Sequence, residues 1–235
     1  MDLSVVIPLL NEEESLHELY ARIDKVCKEH HYTYEIWFVD DGSTDTSWQI
    51  IDDLSKENNH VHGIKFSRNY GKSQALHAAF EKVQGNVVIT MDADLQDFPE
   101  EIPGLYNKII EEKYDLVSGW KKKRFDNVMT KNLPSKLFNS AARNLSGVEL
   151  HDFNCGLKAY RKQVVKSVDV YGDLHRWIPV LTANAGFKRI AENPWFYIAL
   201  TMMIMGTLLF VAGFLGELII RQSRGHKNYH IEEVI

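Results

Sequence analysis

Residues 86–96 read Asn-Val-Val-Ile-Thr-Met-Asp-Ala-Asp-Leu-Gln, an apolar run that ends in two carboxylates one residue apart, Asp92 and Asp94. An uninterrupted apolar segment of this length fits a buried strand of a parallel sheet. In open α/β sheets, ligands bind beyond the carboxyl ends of such strands. Two acidic side chains emerging there repel each other, and a hard divalent cation relieves the repulsion while taking its remaining ligands from waters and substrate phosphates. The same Asp-x-Asp also occurs in ordinary surface turns, so the neighbouring segments decide between a metal–diphosphate site and a turn.

Those neighbours alternate in type. Leu3–Pro8 is a short apolar strand, and Asn11 caps a helix with Glu12, Glu13 and Glu14 in its first turn and Leu16, Leu19, Ile23 and Val26 at helical spacing. Glu35–Val39 is a second strand, stopped by Asp40-Asp41-Gly42-Ser43. A helix over about Thr46–Lys56, a strand over Val61–Phe66, a polar loop Ser67–Gly71 and a helix Lys72–Val83 follow. Strand Val87–Met91 carries the Asp pair; Pro99 opens a helix to about Glu112, and Asp115–Ser118 is another strand. This alternation predicts an α/β, doubly wound, mainly parallel sheet. Three strand ends then bring polar clusters to one crevice: Pro8, Asn11 and Glu12; Asp40, Asp41 and Ser43; Asp92, Asp94 and Gln96. Helix capping for Asn11 and Glu12, and a turn for Asp-Asp-Gly-Ser, stand as alternatives for each cluster alone. Their joint occurrence in this order favours a site.

A net charge of −5 in 235 residues argues against a nucleic-acid binder that works by bulk electrostatics. Cys27 and Cys155 are the only cysteines, in no metal spacing, which reads as two reduced thiols in a cytosolic domain. Met1-Asp2-Leu3-Ser4 leads into strand-like sequence, so no amino-terminal signal peptide is expected. The histidines show no paired ligand spacing on one helix. One composition shift is large. From Trp195 to Gly216 no residue is charged, and a helix of that length covers about 33 Å, enough to cross a bilayer core. Aromatics cluster at its start and Arg221 and Arg224 follow its end, as interface anchors do.

Val6-Ile-Pro8-Leu-Leu10-Asn11-Glu12-Glu13, Val39-Asp40-Asp41-Gly42-Ser43-Thr44-Asp45 and Met91-Asp92-Ala93-Asp94-Leu95-Gln96 together resemble family 2 glycosyltransferases with the GT-A nucleotide-sugar fold. Asp152-Phe-Asn-Cys-Gly156-Leu-Lys158-Ala-Tyr160 is similar to a motif of the polyprenyl-phosphate subgroup, the relatives of dolichyl-phosphate mannose synthase. The resemblance covers about residues 3–190. It implies inverting transfer of a sugar from a UDP- or GDP-linked donor to a polyprenyl phosphate, undecaprenyl or dolichyl, at the cytosolic face of a membrane, the cytoplasmic membrane or the endoplasmic reticulum. Pro8, Leu10, Asn11, Glu12, Asp40, Ser43, Lys72, Asp92 and Ala93 would bind the nucleotide sugar. Asp92, Asp94 and Gln96 would hold Mg²⁺ or Mn²⁺ across the donor diphosphate. Lys121, Arg124, Ser135, Lys136, Asn139 and Lys158 would hold the acceptor phosphate, with lysine where relatives often carry arginine. The Gly71-Lys72 turn reads equally as a phosphate contact or a plain helix start. Asp92, Asp94 and Lys121 would act in the transfer itself; Asp152 is the candidate base if the acceptor is a hydroxyl instead.

The expected organisation is a cytosolic catalytic domain, 1–190, and a segment 191–235 holding a transmembrane helix over about 195–220 and a short cytosolic tail. Lys188 and Arg189 before the span, and Arg221, Arg224 and Lys227 after it, mark both ends as cytosolic, which one span cannot satisfy. A further segment of about 20 residues or more is therefore expected between Ile190 and Ala191; an intact mass equal to that of the 235-residue chain alone would overturn it. Gly206, Gly213 and Gly216 would let the span pack against another helix in a homo-oligomer. Two other functions stay open: transfer to a sugar hydroxyl in glycan synthesis, and a silent membrane module that senses nucleotide sugars. The lysines argue against the first and an intact Asp92-Ala-Asp94 against the second.

Overall fold

The computed structural model describes residues 1–119, 150, 153–172, 174–193 and 195–223; the side chains of 193, 195–204 and 220–223 lie outside that description. The chain divides into Met1–Pro194 and Trp195–Ile235. In the first unit seven strands form one sheet: β1 (Leu3–Leu9), β2 (Tyr34–Asp40), β3 (Val61–Lys65), β4 (Val87–Thr90), β5 (Leu116–Gly119), β6 (Lys158–Arg161) and β7 (Ile190–Asn193). Their order is β3-β2-β1-β4-β6-β5-β7. β1 pairs in parallel with β2 and β4, β2 with β3, and β5 with β7. β6 runs antiparallel to both β4 and β5, so a reversed strand sits inside an otherwise parallel sheet. Nothing in the short segment Lys158–Arg161 announces that insertion.

Side-chain alternation decides which helices cover which face. Leu3, Val5 and Ile7 of β1, Ile36 and Phe38 of β2 and Val87 and Ile89 of β4 share one buried cluster with α1 (Leu16–Glu29), α2 (Ser47–Glu57) and α4 (Ile102–Ile110). Val6, Val39 and Val88, one residue out of phase, pack the other face with α3 (Lys72–Lys82), α5 (Lys162–Ser167) and α6 (Ile178–Asn184). Burial of both faces explains why the strands read as apolar runs rather than as alternating ones. After β1 the chain turns towards β2 and β3, and β4 lies on the other flank of β1. The carboxyl ends of β1 and β4 therefore flank the switch point where open sheets place ligands.

Two expectations move. α1 begins at Leu16, not just after Asn11: Asn11 adopts a left-handed backbone (φ 55°), and a turn follows in which the Ser15 N–H donates to the Glu12 carbonyl at 3.1 Å. Residues 190–193 pair as β7 with β5, so the first unit ends at Pro194. The second unit contains α7 (Trp195–Ser223), a helix of 29 residues. Among the described residues no helix is long and apolar enough to cross a membrane.

Candidate active site

The loops after β1 and β2 are stitched to each other. Asn11 Oδ1 accepts from the Thr44 backbone N–H at 2.8 Å, and the Asn11 N–H donates to Ser43 Oγ at 2.9 Å. The Glu12 N–H donates to Ser47 Oγ at 2.9 Å, and Glu13 Oε2 accepts from the Thr46 N–H at 2.8 Å. Asn11 and Ser43, expected at the nucleotide, are thus engaged in joining two loops. Asp40 is fully buried; its Oδ1 accepts from the Ser43 N–H at 2.8 Å, and its Oδ2 has no hydrogen-bond partner among the described residues. The next residue, Asp41, is the one that faces the crevice. Its two oxygens accept from the Tyr70 and Gly71 N–H groups at 2.7 and 2.9 Å, which fixes the turn before α3. Gly42 permits this: at φ 82° a side chain is disfavoured, and a Cβ there would stand 2.7 Å from Arg68 Cα.

The loop after β4 is built differently. The Asp92 N–H donates to Oδ2 of buried Asp97 at 2.9 Å, and Leu95 takes a left-handed conformation (φ 59°) that turns the chain between Asp94 and Gln96. Strain of this kind in a non-glycine residue concentrates at functional loops. The Asp92 carboxylate is gripped from two sides. Lys72, the first residue of α3, forms an ion pair with Oδ1, and Gly156 packs so closely that a Cβ there would overlap the carboxylate. Asp94 is exposed, and its Oδ1 accepts from the Gln96 N–H at 3.1 Å.

Pro8, Leu10, Glu12, Asp41, Asn69, Gly71, Lys72, Asp92, Ala93 and Asp94 line one cavity of about 340 Å³. Asn11, Asp40, Ser43 and Gln96 do not line it. Burial, and then the negative charge of Asp94 with smaller contributions from Asp92 and Asp45, raises the Glu12 carboxyl above its ordinary value. Four carboxylates, Glu12, Asp41, Asp92 and Asp94, thus bear on one space, with the Lys72 ammonium at its edge. Among the described residues no group of three or more His, Cys, Asp or Glu stands in position to hold a metal ion. The donor chemistry nevertheless suits a hard cation: Asp92 and Asp94 offer carboxylate oxygens into a cavity large enough for a diphosphate to complete the shell.

A second cavity, about 20 Å³, is lined by Lys72, Asn154, Gly156, Lys158, Tyr160 and His175 among others. Lys158, expected at an acceptor phosphate, is buried in β6 and its ammonium donates to the Cys155 carbonyl. Ser73 Oγ accepts from the His175 N–H at 3.0 Å and lies 3.1 Å from its Nδ1, which ties the turn Leu174–Trp177 to the start of α3. Lys121, Arg124, Ser135, Lys136, Asn139 and Asp152 lie outside the described residues. Asn69 and Asp97 are site residues not singled out from sequence, while Asp41, read in a strand-end cluster, and Gly156, read in a motif, were given no role at a ligand. Asp97 could have been found, as a third acid in the Asp-x-Asp run; the close approach of Gly156 could not. Both cysteines are buried, and burial pushes the Cys27 thiol up to about 12, so it is inert.

Comparison with known proteins places this geometry in context. The model of Glycosyl transferase family 2 matches residues 4–169. The chain is 43% identical over 190 residues to the undecaprenyl-phosphate 4-deoxy-4-formamido-L-arabinose transferase of Shewanella sediminis, covering 80% of this chain and 56% of that protein. It is 34% identical over 185 residues to the dodecaprenyl-phosphate galacturonate synthase of Rhizobium johnstonii, covering 78% and 55%. The chain thus spans a little over half the length of these curated relatives. The fold is similar to that of glucosyl-3-phosphoglycerate synthase from Mycobacterium tuberculosis in complex with Mn²⁺, UDP-glucose and phosphoglyceric acid, with a TM-score of 0.64 at 21% identity, covering 81% of this chain and 68% of that one.

Proposed function

The chain belongs to glycosyl transferase family 2, and from that premise we propose that it transfers a sugar, with inversion, from a nucleotide-sugar donor to a polyprenyl phosphate. The observation that carries the reading is the cavity in which Asp92, Asp94 and Glu12 meet Lys72 at the switch point of the sheet. The names of the undecaprenyl- and dodecaprenyl-phosphate relatives support the acceptor class, and the UDP-glucose complex of the structural neighbour supports the donor class. Pro8 and Leu10 supply apolar walls for a base, and Asp41 and Asn69 supply polar groups beside them. Asp92 and Asp94 would hold Mg²⁺ or Mn²⁺, which, when bound, neutralises charge on the departing nucleoside diphosphate.

A phosphate acceptor changes what these residues must do. Its oxygen is ionised near neutral pH, so attack on the anomeric carbon requires placement and charge screening rather than a strong base. The bond from the anomeric carbon to the diphosphate oxygen breaks as the bond to the acceptor oxygen forms on the opposite face. Lys72 screens charge within the donor cavity, and Lys121, Lys136 and their neighbours would do so for the acceptor.

Helix α7 supports attachment to a membrane, with the catalytic unit on the cytosolic side where nucleotide sugars are found. Its side chains are described over 205–219. Within that stretch Leu208, Leu209, Phe210 and Val211 are consecutive and all exposed, so apolar surface runs right around the helix. A helix apolar on every side is stable only when buried in protein or in lipid.

The test is transfer from a panel of nucleotide sugars to short-chain polyprenyl phosphate, with Mg²⁺ or Mn²⁺ and with EDTA. A prenyl-phosphate sugar that forms only with metal is expected. Transfer to a sugar hydroxyl, or nucleotide binding with no product from any donor, would overturn the reading.

A further inference from the structure

We propose that Lys72 is a built-in counter-cation that holds Asp92 until a divalent ion arrives with a nucleoside diphosphate, so that metal and diphosphate load the site together. The proposal rests on the reading of Asp92 and Asp94 as metal ligands given above.

The partners of this ion pair differ in how freely they can move. Gly156 packs against the Asp92 carboxylate on one side, and Asp97 ties down the Asp92 backbone N–H at 2.9 Å. Asp92 therefore has little room to retreat. Asp41 fixes the Lys72 backbone through the preceding Tyr70 and Gly71 N–H groups. The Lys72 side chain is a four-carbon stem with rotatable bonds, about one-third exposed, and it borders the 340 Å³ cavity. A dication that takes Asp92 meets the ammonium already on Oδ1, and two cations so close repel strongly. A diphosphate in the cavity removes the conflict, because its oxygens can accept from the displaced ammonium while they also ligate the metal. Metal alone then binds weakly, and metal and diphosphate each raise the affinity for the other by the same factor. A purely structural ion pair makes the opposite prediction: removing Lys72 would loosen Asp92 and weaken the metal.

Mn²⁺ binding to the full chain in detergent, read from the EPR signal of free Mn²⁺, separates the two. Lys72→Met is compared with the wild type and with Lys82→Met, which removes an exposed charge at the far end of α3. Lys72→Met is expected to bind Mn²⁺ alone about tenfold more tightly than the wild type, and Lys82→Met to stay within about twofold. Added UDP or GDP is expected to tighten Mn²⁺ less in Lys72→Met than in the wild type. Lys72→Gln, polar and shorter, must give the same sign and serves if the methionine variant fails to fold. Equal or weaker Mn²⁺ binding by the Lys72 variants overturns the proposal and leaves the metal reading standing. No Mn²⁺ binding by any form, with or without UDP or GDP, overturns both.

Discussion

The loops after β1 and β2 and the loop after β4 use the same residue types, yet they are built for different work. In the first pair, Asn11, Glu12 and Glu13 of one loop are bonded across the gap to Ser43, Thr44, Thr46 and Ser47 of the other. In the β4 loop the carboxylates of Asp92 and Asp94 face a cavity, and Asp92 pairs with the Lys72 ammonium. A cluster of Asp, Asn and Ser at a strand end is therefore not evidence of a ligand site until its internal partners are known. Where the polar groups satisfy each other they form a scaffold. Where like charges are held together at a cavity, a ligand of opposite charge is the missing part.

The largest effects should come from the β4 loop. Asp92→Asn is expected to lower the transfer rate by at least about a hundredfold, with a melting temperature close to wild type. Gly156→Ala attacks the same carboxylate from behind: the added Cβ cannot share space with Asp92. Mn²⁺ binding should be lost, and overpacking should cost about 1–3 kcal/mol in stability. If Gly156→Ala keeps both metal binding and activity, the grip on Asp92 is slack and the contrast between the loops weakens.

The scaffold loops should respond in stability and hardly in chemistry. Asn11 contributes two things, a side-chain acceptor for Thr44 and tolerance of a left-handed backbone. Asn11→Gly removes only the first and should cost about 1 kcal/mol. Asn11→Ala removes both and should cost about 2 kcal/mol. Chemical denaturation checks the difference, and nucleotide affinity should change by less than about threefold in the glycine variant. A larger loss of affinity there would make Asn11 a ligand residue after all.

Much of this was legible in the chain. The apolar runs Val5–Leu9 and Val87–Ile89 are continuous because both sheet faces are covered, so fold class and strand-end acids could be read together. Asp92 and Asp94 followed from that pattern, whereas the Gly71-Lys72 turn read equally as a phosphate contact or a plain helix start. Which member of Asp40-Asp41 faces the cavity could not be read, because it depends on where the β2 pleat ends relative to a loop thirty residues away. The side-chain direction of Lys158 was hidden for a similar reason. It lies on an antiparallel strand placed between β4 and β5 by a long-range connection, beside Thr90 on one flank and Ser118 on the other. Short segments carry period and propensity, but neighbours in a sheet are chosen by the whole chain.

Glu12 offers the smallest and sharpest test, since it belongs to both regions: its backbone is held by the scaffold and its carboxyl faces the acids of β4. Burial and the charges of Asp94, Asp92 and Asp45 raise its pKa in the folded chain above the ordinary value of 4.5. The fold therefore penalises the ionised form. Below pH 4.5 folded and unfolded chains are both protonated here and the penalty is absent. It grows as pH rises through the elevated folded value, and it is complete near neutrality. Glu12→Gln should then be more stable than wild type at pH 7, by less than about 1 kcal/mol for a partly exposed group, and the gain should vanish at pH 4. Saturating Mn²⁺ with UDP or GDP should shrink the gain at pH 7, because a cation near Asp94 makes the ionised Glu12 welcome. Denaturant melts at the two pH values, with and without these additions, decide it. A gain that is independent of pH would show that Glu12 belongs electrostatically to the scaffold alone.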